Sequence, residues 1–351
     1  MNLIKRNFGL DLMRCFAISF VLLAHFASKL ESIGFWGVEL FFSLSGFLIG
    51  KILWQNLIFS SEYSWKQIGR FWNRRWWRTL PNYFLFLLMM VIFKWTRNGE
   101  FPLDVFIKSL LFLQNFLNRE VEFFSVSWSL CIEEWFYLIF PIILFLFNKL
   151  KLSKENVFVY ANLLIILFSF LSRFYFISTG VGHNLRGITL ARLDAISYGV
   201  LISFYAMKYS GNKTFLKICG IIGSLLLVFC IYLLYFSNIS YEVLRSGQGI
   251  LFIAPLAFAC ILPIIEKFKS PISNDRMIGQ FVLNISLWSY SIYLCHIPVM
   301  FITYELLANY RETMEGNLAS KIIGLIFTIL ISAFIFRMFE NPLTSRRKPN
   351  L

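Results

Sequence analysis

The sequence predicts an all-α integral membrane protein, a bundle of about ten transmembrane helices. Three observations support this fold class. The chain of 351 residues is 58% hydrophobic and only 15% charged, whereas soluble domains carry about 25% charged residues. Its apolar residues are grouped in long segments. A chain inside lipid must pair its backbone polar groups within those segments, which favours helices. A water-soluble globular enzyme, a coiled coil and a disordered chain are thereby excluded.

Each predicted span is an apolar segment of roughly the 20 residues that cross a bilayer. In chain order the ten segments are 10–28, 35–58, 79–95, 128–147, 157–177, 191–207, 215–236, 248–265, 281–306 and 319–339. A further segment, 103–117, is shorter and is interrupted by Asp104, Lys108, Gln114 and Asn115. Its length and polarity favour an interfacial or re-entrant helix over an eleventh span.

The distribution of basic residues predicts the orientation of the bundle. The net charge is +14, and the cytoplasmic loops of membrane proteins are rich in lysine and arginine. With ten spans and the N-terminus inside, the most basic loops, such as 66–78 and 149–154, lie on the cytoplasmic side. An eleventh span at 103–117 would place the later basic loops outside. We therefore expect both termini in the cytoplasm, with a membrane domain over 1–345 and a basic cytoplasmic tail over 346–351.

The same composition argues against several partners and processing events. Basic residues in short loops form no continuous face, so nucleic acid is not expected as a partner. The six cysteines lie inside apolar segments without metal-ligand spacing, which predicts packing residues and no metal site. The first apolar run resembles a signal peptide, but Asp11 and Arg14 interrupt its start and the next segment is equally apolar. We expect this run to remain as the first span.

Ionisable residues within the predicted spans mark a candidate site, because each costs roughly 2.5–3.5 kcal/mol to insert and normally faces the bundle interior. Arg14 and His25 lie eleven residues apart in the first span. At about 1.5 Å and 100° per residue, they share one helix face at depths about 16 Å apart. An imidazole can act as a general base at neutral pH, and a guanidinium can hold an anion or a polarised carbonyl. The alternative is a structural pair, each member bonded to a neighbouring helix.

A second cluster lies at the cytoplasmic edge of the third span, in the sequence FWNRRWWRTLPNY (71–83). Arginine forks match phosphate oxygens, and aromatic rings can stack on a nucleobase. Arg74, Arg75 and Arg78 are therefore candidates for binding a phosphorylated, nucleotide-bearing donor. The alternative is a set of ordinary anchors, since arginine and tryptophan are both typical of membrane boundaries.

The fourth span opens with two adjacent carboxylates, Glu133 and Glu134. Successive residues of a helix point about 100° apart, so at most one of these carboxylates can face His25. The alternative is an acidic helix N-terminus that the helix dipole stabilises. Either arrangement is notable, because two carboxylates at the mouth of a span are energetically expensive.

Three further ionisable residues in the spans are more typical of structural roles. Arg192 and Asp194 open the sixth span, and we expect them to pair with each other or across helices. His296 lies in the ninth span beside Pro298 and near Tyr293. For this residue the pattern favours a core histidine whose ring is satisfied by its surroundings.

Seven segments resemble, in order, the motifs of membrane acyltransferase family 3, whose members transfer acyl groups, usually acetyl, to sugars of surface polysaccharides. They are LDLMRCFAISFVLLAH (10–25), GFWGVELFFSLSGFLI (34–49), FWNRRWWRTLP (71–81), WSLCIEEWFY (128–137), RLDAISYG (192–199), WSYSIYLCH (288–296) and FENP (339–342). Each segment is weak alone. Seven in order over nearly the whole chain are a highly specific signal.

This resemblance implies roles for individual residues. The family's Arg-x10-His motif matches Arg14 and His25, and its Arg-x-x-Arg motif matches Arg75 and Arg78. The acidic residue of its Trp-Ser-Leu-x-x-Glu motif matches Glu133. The resemblance also implies acetyl-CoA as the donor, approached from the cytoplasm. A glycan or lipid-linked oligosaccharide would be the acceptor on the outer side of a bacterial inner membrane.

The predicted function is O-acetylation of a surface polysaccharide, such as the O-antigen of lipopolysaccharide. The phosphates of the donor would lie on Arg75 and Arg78, with Arg74 nearby. Because the chain ends soon after the FENP segment, we expect no appended extracytoplasmic esterase-like domain and transfer by the membrane unit alone.

In the predicted reaction, His25 would take the proton from a sugar hydroxyl or carry the acetyl group transiently. Arg14 would stabilise the thioester or its oxyanion, and Glu133 would orient His25 or the hydroxyl. Two alternatives stay open. A transporter or flippase of anionic or lipid-linked glycans fits the composition, although it predicts an internal repeat and paired broken helices. An acyltransferase using another acyl group fits every motif.

Overall fold

The architecture is that of an all-α bundle. A computed structural model describes residues 6–27, 30–59, 63–99, 101–117, 123–180, 182–237, 248–269 and 276–345. Within these ranges the chain is almost entirely helical and contains no β-strand. The predicted basic tail over 346–351 lies outside the described residues.

The first half of the chain forms six α-helices and a 3₁₀ segment. Their bounds are α1 Phe8–Phe26, α2 Ile33–Ile58, α3 Trp65–Asn98, α4 Leu103–Leu110, α5 Ser127–Asn148 and α6 Lys154–Ser178, followed by the 3₁₀ segment Gly182–Gly187. The second half contains α7 Asp194–Lys208, α8 Lys213–Tyr235, α9 Gln248–Ile265, α10 Arg276–Leu306 and α11 Met314–Ile335. A π-helical turn over Phe336–Glu340 then leads into α12, Asn341–Ser345.

The predicted fold class, a polytopic membrane helix bundle, is confirmed. Among the described residues, 8 helices are long and apolar enough to cross a membrane, namely α1, α2, α3, α5, α6, α8, α10 and α11 with its continuation. The sixth and eighth predicted spans correspond to the shorter helices α7 and α9. The count of ten spans and the cytoplasmic placement of both termini stay predictions.

Segment 103–117 forms no span. Its helix, α4, has 8 residues and is about 12 Å long, far short of the roughly 30 Å hydrocarbon core. Turns follow it, and the Asn115 side chain donates hydrogen bonds to the carbonyl oxygens of Gly187 and Trp128 at 2.7 and 3.0 Å. Asn115 thereby ties this segment to the start of α5 and to the loop before α7.

Helix α3 is longer than the predicted third span. It begins at Trp65, contains 34 residues including Pro81, and is about 51 Å long. A capping box stabilises its start: Ser64 and Gln67 exchange side-chain to backbone hydrogen bonds. The arginine–tryptophan cluster therefore lies on a rigid helix, which determines the direction of each arginine.

Helix α2 lies at the centre of the bundle and packs most extensively against α7. Glycines allow this close approach. A Cβ atom on Gly46 would lie 2.0 Å from the carbonyl oxygen of Ile196, and one on Gly199 would lie 2.2 Å from the carbonyl oxygen of Ser43. Membrane helices associate through such small residues because their backbones can then come into contact.

Replacing Gly46 with alanine is expected to separate α2 from α7 and to lower the melting temperature of the purified protein. The added methyl group would clash with backbone atoms, and overpacking of this kind costs about 1–3 kcal/mol or more. Gly69→Ala is the matched control, because no atom lies within 4 Å of a Cβ at this helical position. Thermal unfolding in detergent should show a loss for Gly46→Ala alone. Equal melting temperatures for the two variants would contradict the packing argument.

Buried ion pairs connect α2, α6, α7 and the 3₁₀ segment. Glu39 and Arg192 are both completely buried and form an ion pair, and Arg186 Nε donates to Glu39 at 3.4 Å. Asp194 accepts a hydrogen bond from Arg173 at 2.9 Å, and both are also buried. Arg192 and Asp194 thus pair across helices rather than with each other, which resolves the alternatives left open by the sequence.

Candidate active site

The first cavity is lined by the cationic residues that the sequence singled out. It contains about 770 Å³ of space including its mouth, and we call it the arginine cavity. Its charged lining residues are Arg14, Arg75, Arg78 and Glu133. Three guanidinium groups against one carboxylate make this cavity complementary to an anionic ligand.

Arg75 is held at the cavity wall by several contacts. Its Nη2 donates hydrogen bonds to the Tyr137 hydroxyl at 2.7 Å and to Ser45 Oγ at 3.4 Å, and its guanidinium lies 4.4 Å from the centre of the Tyr137 ring. The Tyr137 hydroxyl in turn donates to Glu133 Oε2 at 3.1 Å. A chain of hydrogen bonds therefore connects Arg75 to Glu133 through Tyr137. It holds the guanidinium in one orientation at the cavity wall.

Glu133 lies in the arginine cavity, and the structure does not bring it to His25. Its position one turn before Tyr137 on α5 accounts for the hydrogen bond between them. Glu134 points to α3 instead, where its Oε1 accepts a hydrogen bond of 2.7 Å from Thr79 Oγ1. The hydrogen bonds of both carboxylates thus go to Tyr137 and Thr79, and the role of Glu133 in orienting His25 or the acceptor hydroxyl stays a prediction.

Arg14 also lines the arginine cavity. Its Nη1 donates to Asp11 Oδ1 at 3.1 Å, and Asp11 is further held by Arg6 and by Ser286 Oγ at 2.7 Å. The predicted common face of Arg14 and His25 is consistent with the structure, since both side chains line cavities inside the bundle. Because they are about 16 Å apart along α1, Arg14 lies with Arg75 and Arg78 and away from His25.

Arg74 is not among the residues that line the arginine cavity. It precedes Arg75 on α3, and a step of one residue turns a helix by about 100°. Arg75 and Arg78, three residues apart, share the face that lines the cavity. Trp72 and Trp76 stack on each other with their ring centres 5.7 Å apart. Of the three predicted donor-binding arginines, the structure brings together two.

The second cavity contains His25 and is called the histidine cavity. It has about 800 Å³ of space including its mouth. Its polar lining residues are His25, Glu31, Ser125, Trp128, Arg186, Tyr293 and His296. The ring centres of His25 and His296 are 5.0 Å apart, with their planes inclined by 50°. The cavity therefore holds two imidazoles beside a guanidinium and an indole.

Tyr293 and Val38 line both cavities and form the boundary between them. The hydroxyl groups of Tyr293 and Ser129 form a hydrogen bond of 2.7 Å. The ring of Tyr293 packs edge-on against Phe41, with ring centres 6.2 Å apart. A ligand that occupied both cavities would have to pass this boundary.

Sequence reasoning missed several residues of the two cavities. Tyr293, which lines both cavities, and Tyr137, which contacts the lining residues Arg75 and Glu133, lie inside quoted motifs. A tyrosine in an apolar helix carries no signal of its own. Arg186 lies outside the ten predicted spans, but the structure shows it buried, with its guanidinium 4.9 Å from the Phe35 ring and 5.0 Å from the Trp128 ring. His296 is buried as expected, but the sequence pattern does not indicate that it lines the same cavity as His25. Within the described part of the chain, no three His, Cys, Asp or Glu side chains are grouped to hold a metal ion.

Comparison with known proteins decides the family. A family model described as "Acyltransferase domain" matches residues 7–337. The chain belongs to membrane acyltransferase family 3. The match includes every helix that contributes to the two cavities. The resemblance to this family is therefore confirmed, and the matched region contains six of the seven motif segments, all except FENP (339–342).

Curated relatives match over nearly the whole chain. The chain is 27% identical to "Peptidoglycan O-acetyltransferase OatA" of Listeria monocytogenes, over 95% of the chain and 55% of the relative. It is 25% identical to "O-acetyltransferase OatA" of Staphylococcus aureus, over 96% of the chain and 57% of the relative. The chain thus spans just over half the length of these relatives. No solved structure gives a significant match.

Proposed function

We propose that this chain is a membrane O-acetyltransferase that moves an acetyl group from acetyl-CoA to a sugar hydroxyl of a surface polysaccharide. One observation carries the proposal. A cationic cavity and a cavity containing histidine lie on either side of a boundary formed by Tyr293 and Val38. Such an arrangement suits an enzyme whose two substrates approach from opposite sides of a bacterial cytoplasmic membrane.

The arginine cavity would bind the donor. Acetyl-CoA carries phosphate groups at one end and the thioester at the other. Charge-assisted hydrogen bonds from guanidinium groups are the strongest that proteins offer to phosphate. Arg75 and Arg78 would hold the phosphates. Arg14 would contact the part of acetyl-CoA that lies between the phosphates and the thioester. This assigns Arg14 to donor binding instead of to the oxyanion near His25.

The histidine cavity would bind the acceptor. The hydroxyl oxygen attacks the thioester carbon, the carbon–sulfur bond breaks, and His25 takes the hydroxyl proton as general base. In the second route His25 itself attacks the thioester and then passes the acetyl group to the hydroxyl. Both routes need the thioester to reach the boundary at Tyr293. The hydroxyl groups of Tyr293 and Ser129 bond to each other, which leaves one of the two to donate a hydrogen bond to the thioester carbonyl oxygen.

The acceptor would be a glycan at the outer surface of the membrane. The name of the Listeria relative states peptidoglycan, so we propose peptidoglycan as the first acceptor to test and the O-antigen of lipopolysaccharide as the second. Trp128 lines the histidine cavity, and an indole ring offers an apolar face on which a sugar ring can pack. A lipid-linked form of either glycan would fit a site inside a helix bundle.

Release of free CoA tests the proposal directly. The purified protein in liposomes is given acetyl-CoA with and without peptidoglycan fragments, and the thiol of released CoA is measured. We expect release that depends on the acceptor, together with an acetyl ester on the sugar by mass spectrometry. Transport of acetyl-CoA or of glycan without thiol release would support the transporter alternative and reject the enzyme.

Replacing Arg78 with methionine is expected to raise the KM for acetyl-CoA by about 10-fold or more. A hydrogen bond to a charged group contributes about 1.5–3 kcal/mol, and Arg78 faces the arginine cavity. The measurement is steady-state acetyl transfer at varied acetyl-CoA.

Arg74→Met is the matched control for this variant, since it removes the same charge four residues away on the same helix but outside the cavity lining. Its KM should stay close to that of the wild type. A KM raised equally by both substitutions would show that donor binding depends on the general charge of α3, and would contradict the assignment of the cavity.

A further inference from the structure

His296 is a second imidazole at the site proposed for acyl transfer, and the proposed function assigns it no role. It lies on α10, is completely buried, and lines the histidine cavity together with His25. A hydrogen bond of about 2.9 Å between two imidazole nitrogens places the ring centres roughly 5 Å apart. The two ring centres are 5.0 Å apart with their planes inclined by 50°, so the rings are close enough to form this bond once a nitrogen of His25 turns toward His296.

The hydrogen bonds of His296 determine which of its nitrogens carries the proton. Its Nδ1 lies 2.7 Å from the carbonyl oxygen of Tyr293 and 3.2 Å from that of Ile292. A carbonyl oxygen can only accept, so Nδ1 must donate and the proton of the neutral ring lies there. The other nitrogen, Nε2, then has a lone pair and can accept a hydrogen bond.

Within the part of the chain that the structure describes, this lone pair is unused. Nε2 of His296 is buried and has no hydrogen-bond partner among the described residues. A buried acceptor without a partner costs about 1–3 kcal/mol, and a catalytic role is one of the explanations for such an atom in a native protein. A histidine that only filled space in the core would carry this cost without benefit. Beside a cavity that contains His25, the cost is offset once His25 or a bound acceptor donates to Nε2.

We propose that His296 is a positioning residue for His25. Its Nε2 accepts the N–H of His25, which leaves the lone pair of the other His25 nitrogen directed at the acceptor hydroxyl. This inference rests on the proposed acyl transfer at His25. It extends the catalytic group from one histidine on α1 to a pair of histidines on α1 and α10.

His296 neither gains nor loses a proton in the proposed reaction. The O–H bond of the sugar breaks and its proton forms an N–H bond on His25, while the oxygen bonds to the thioester carbon. The carbon–sulfur bond breaks, and the CoA sulfur leaves as a thiolate that takes up a proton. The proton gained by His25 passes to solvent. Throughout, the hydrogen bond from His25 to His296 stabilises the imidazolium, as an orienting acceptor does in a catalytic triad.

The test compares two substitutions of His296 that differ in whether the new side chain can accept a hydrogen bond. His296→Leu fills the position without an acceptor, whereas the amide oxygen of His296→Gln can still accept a hydrogen bond from His25. We expect His296→Leu to lower kcat by about 10- to 100-fold with an unchanged KM for acetyl-CoA, in line with the loss of a group that supports general base catalysis. His296→Gln should recover most of this loss.

Cys295→Ala is the control for structural effects, because Cys295 is the preceding buried residue and contacts Ser332 at 2.9 Å on another helix. Its activity should stay within about twofold of the wild type, a change small enough to count as local packing. The proposal would be overturned if the leucine and glutamine variants had equal activity and equal melting temperatures. If His296→Leu does not fold, the kcat of His296→Gln tests the proposal. More than half of the wild-type kcat then supports the proposal, and a loss as large as that of His25→Ala overturns it.

The experiment separates this inference from the proposed function. Full activity of His25→Ala would reject both the proposed function of His25 and the positioning role of His296, because His296 would then have no catalytic residue to position. An inactive His25→Ala variant together with a fully active His296→Leu variant would reject only the positioning role. In the His25→Ala background, His296→Leu should cause no further loss, because the two residues act as one unit.

Discussion

Acetyl transfer by His25→Ala is expected to fall about 10²- to 10⁴-fold, the usual contribution of a positioned general base. His25 lines the histidine cavity at the end of α1, and no other ionisable group on α1 reaches that cavity among the described residues. The measurement is the initial rate of acceptor acetylation by purified protein at saturating acetyl-CoA. Full retained activity would reject the role of His25.

A matched control and a labelling experiment sharpen this result. Leu23 lies two residues earlier on α1 with 43% of its surface exposed, so Leu23→Ala tests whether a change at this end of the helix is harmful in itself. We expect near-normal rates for it. Incubation with labelled acetyl-CoA but no acceptor distinguishes the two chemical routes. Label retained on His25 of the wild-type protein indicates an acetyl-enzyme, and its absence indicates direct transfer.

Glu39→Gln is expected to destabilise the folded protein by about 3–5 kcal/mol, the cost of leaving a buried charge without its partner. Glu39 is completely buried on α2, and it binds the buried Arg192 and also Arg186. A neutral amide would leave two guanidinium groups uncompensated in the bundle. The measurement is the melting temperature in detergent, together with the fraction of protein that elutes as a single species.

An exposed ion pair provides the control for this substitution. Glu155 pairs with Lys208 where both side chains are largely in contact with solvent, and exposed pairs contribute only about 0–1 kcal/mol. Glu155→Gln should therefore leave the melting temperature nearly unchanged. If Glu39→Gln and the wild type have the same melting temperature, Glu39 is not the charged partner of Arg192 and Arg186 that this argument requires.

The relation between Arg14 and His25 illustrates how far sequence reasoning reaches. Their spacing of eleven residues predicted a common helix face, because α-helix geometry is the same in every protein. Both side chains do line interior cavities. The pair of Arg14 and Asp11 is a local contact between residues three apart on α1, but the spacing did not indicate that Arg14 would line the same cavity as Arg75. That depends on which helices pack against each end of α1.

The contacts of Glu133 and His296 also depend on packing between helices. Glu133, a candidate to orient His25 or the acceptor hydroxyl, contacts Tyr137 beside Arg75. His296 is a buried core residue, as expected, and its ring also lies against His25. Both residues were correctly placed on their own helices. The vertical alignment of α5 and α10 relative to α1 is set by side-chain packing between helices, and residues far apart in the chain carry no pattern for it.

The sequence by itself determined the fold class, the apolar segments, the family motifs and the helix face on which each ionisable residue lies. These properties are local, because hydrophobicity and the helical repeat act over one or two turns. Only the tertiary structure decided that the cationic residues and the histidines occupy two separate cavities with Tyr293 at their boundary. It also decided that Arg192 pairs with Glu39. The physical reason is that contacts between helices depend on their relative depth and rotation, which close packing of the whole bundle selects.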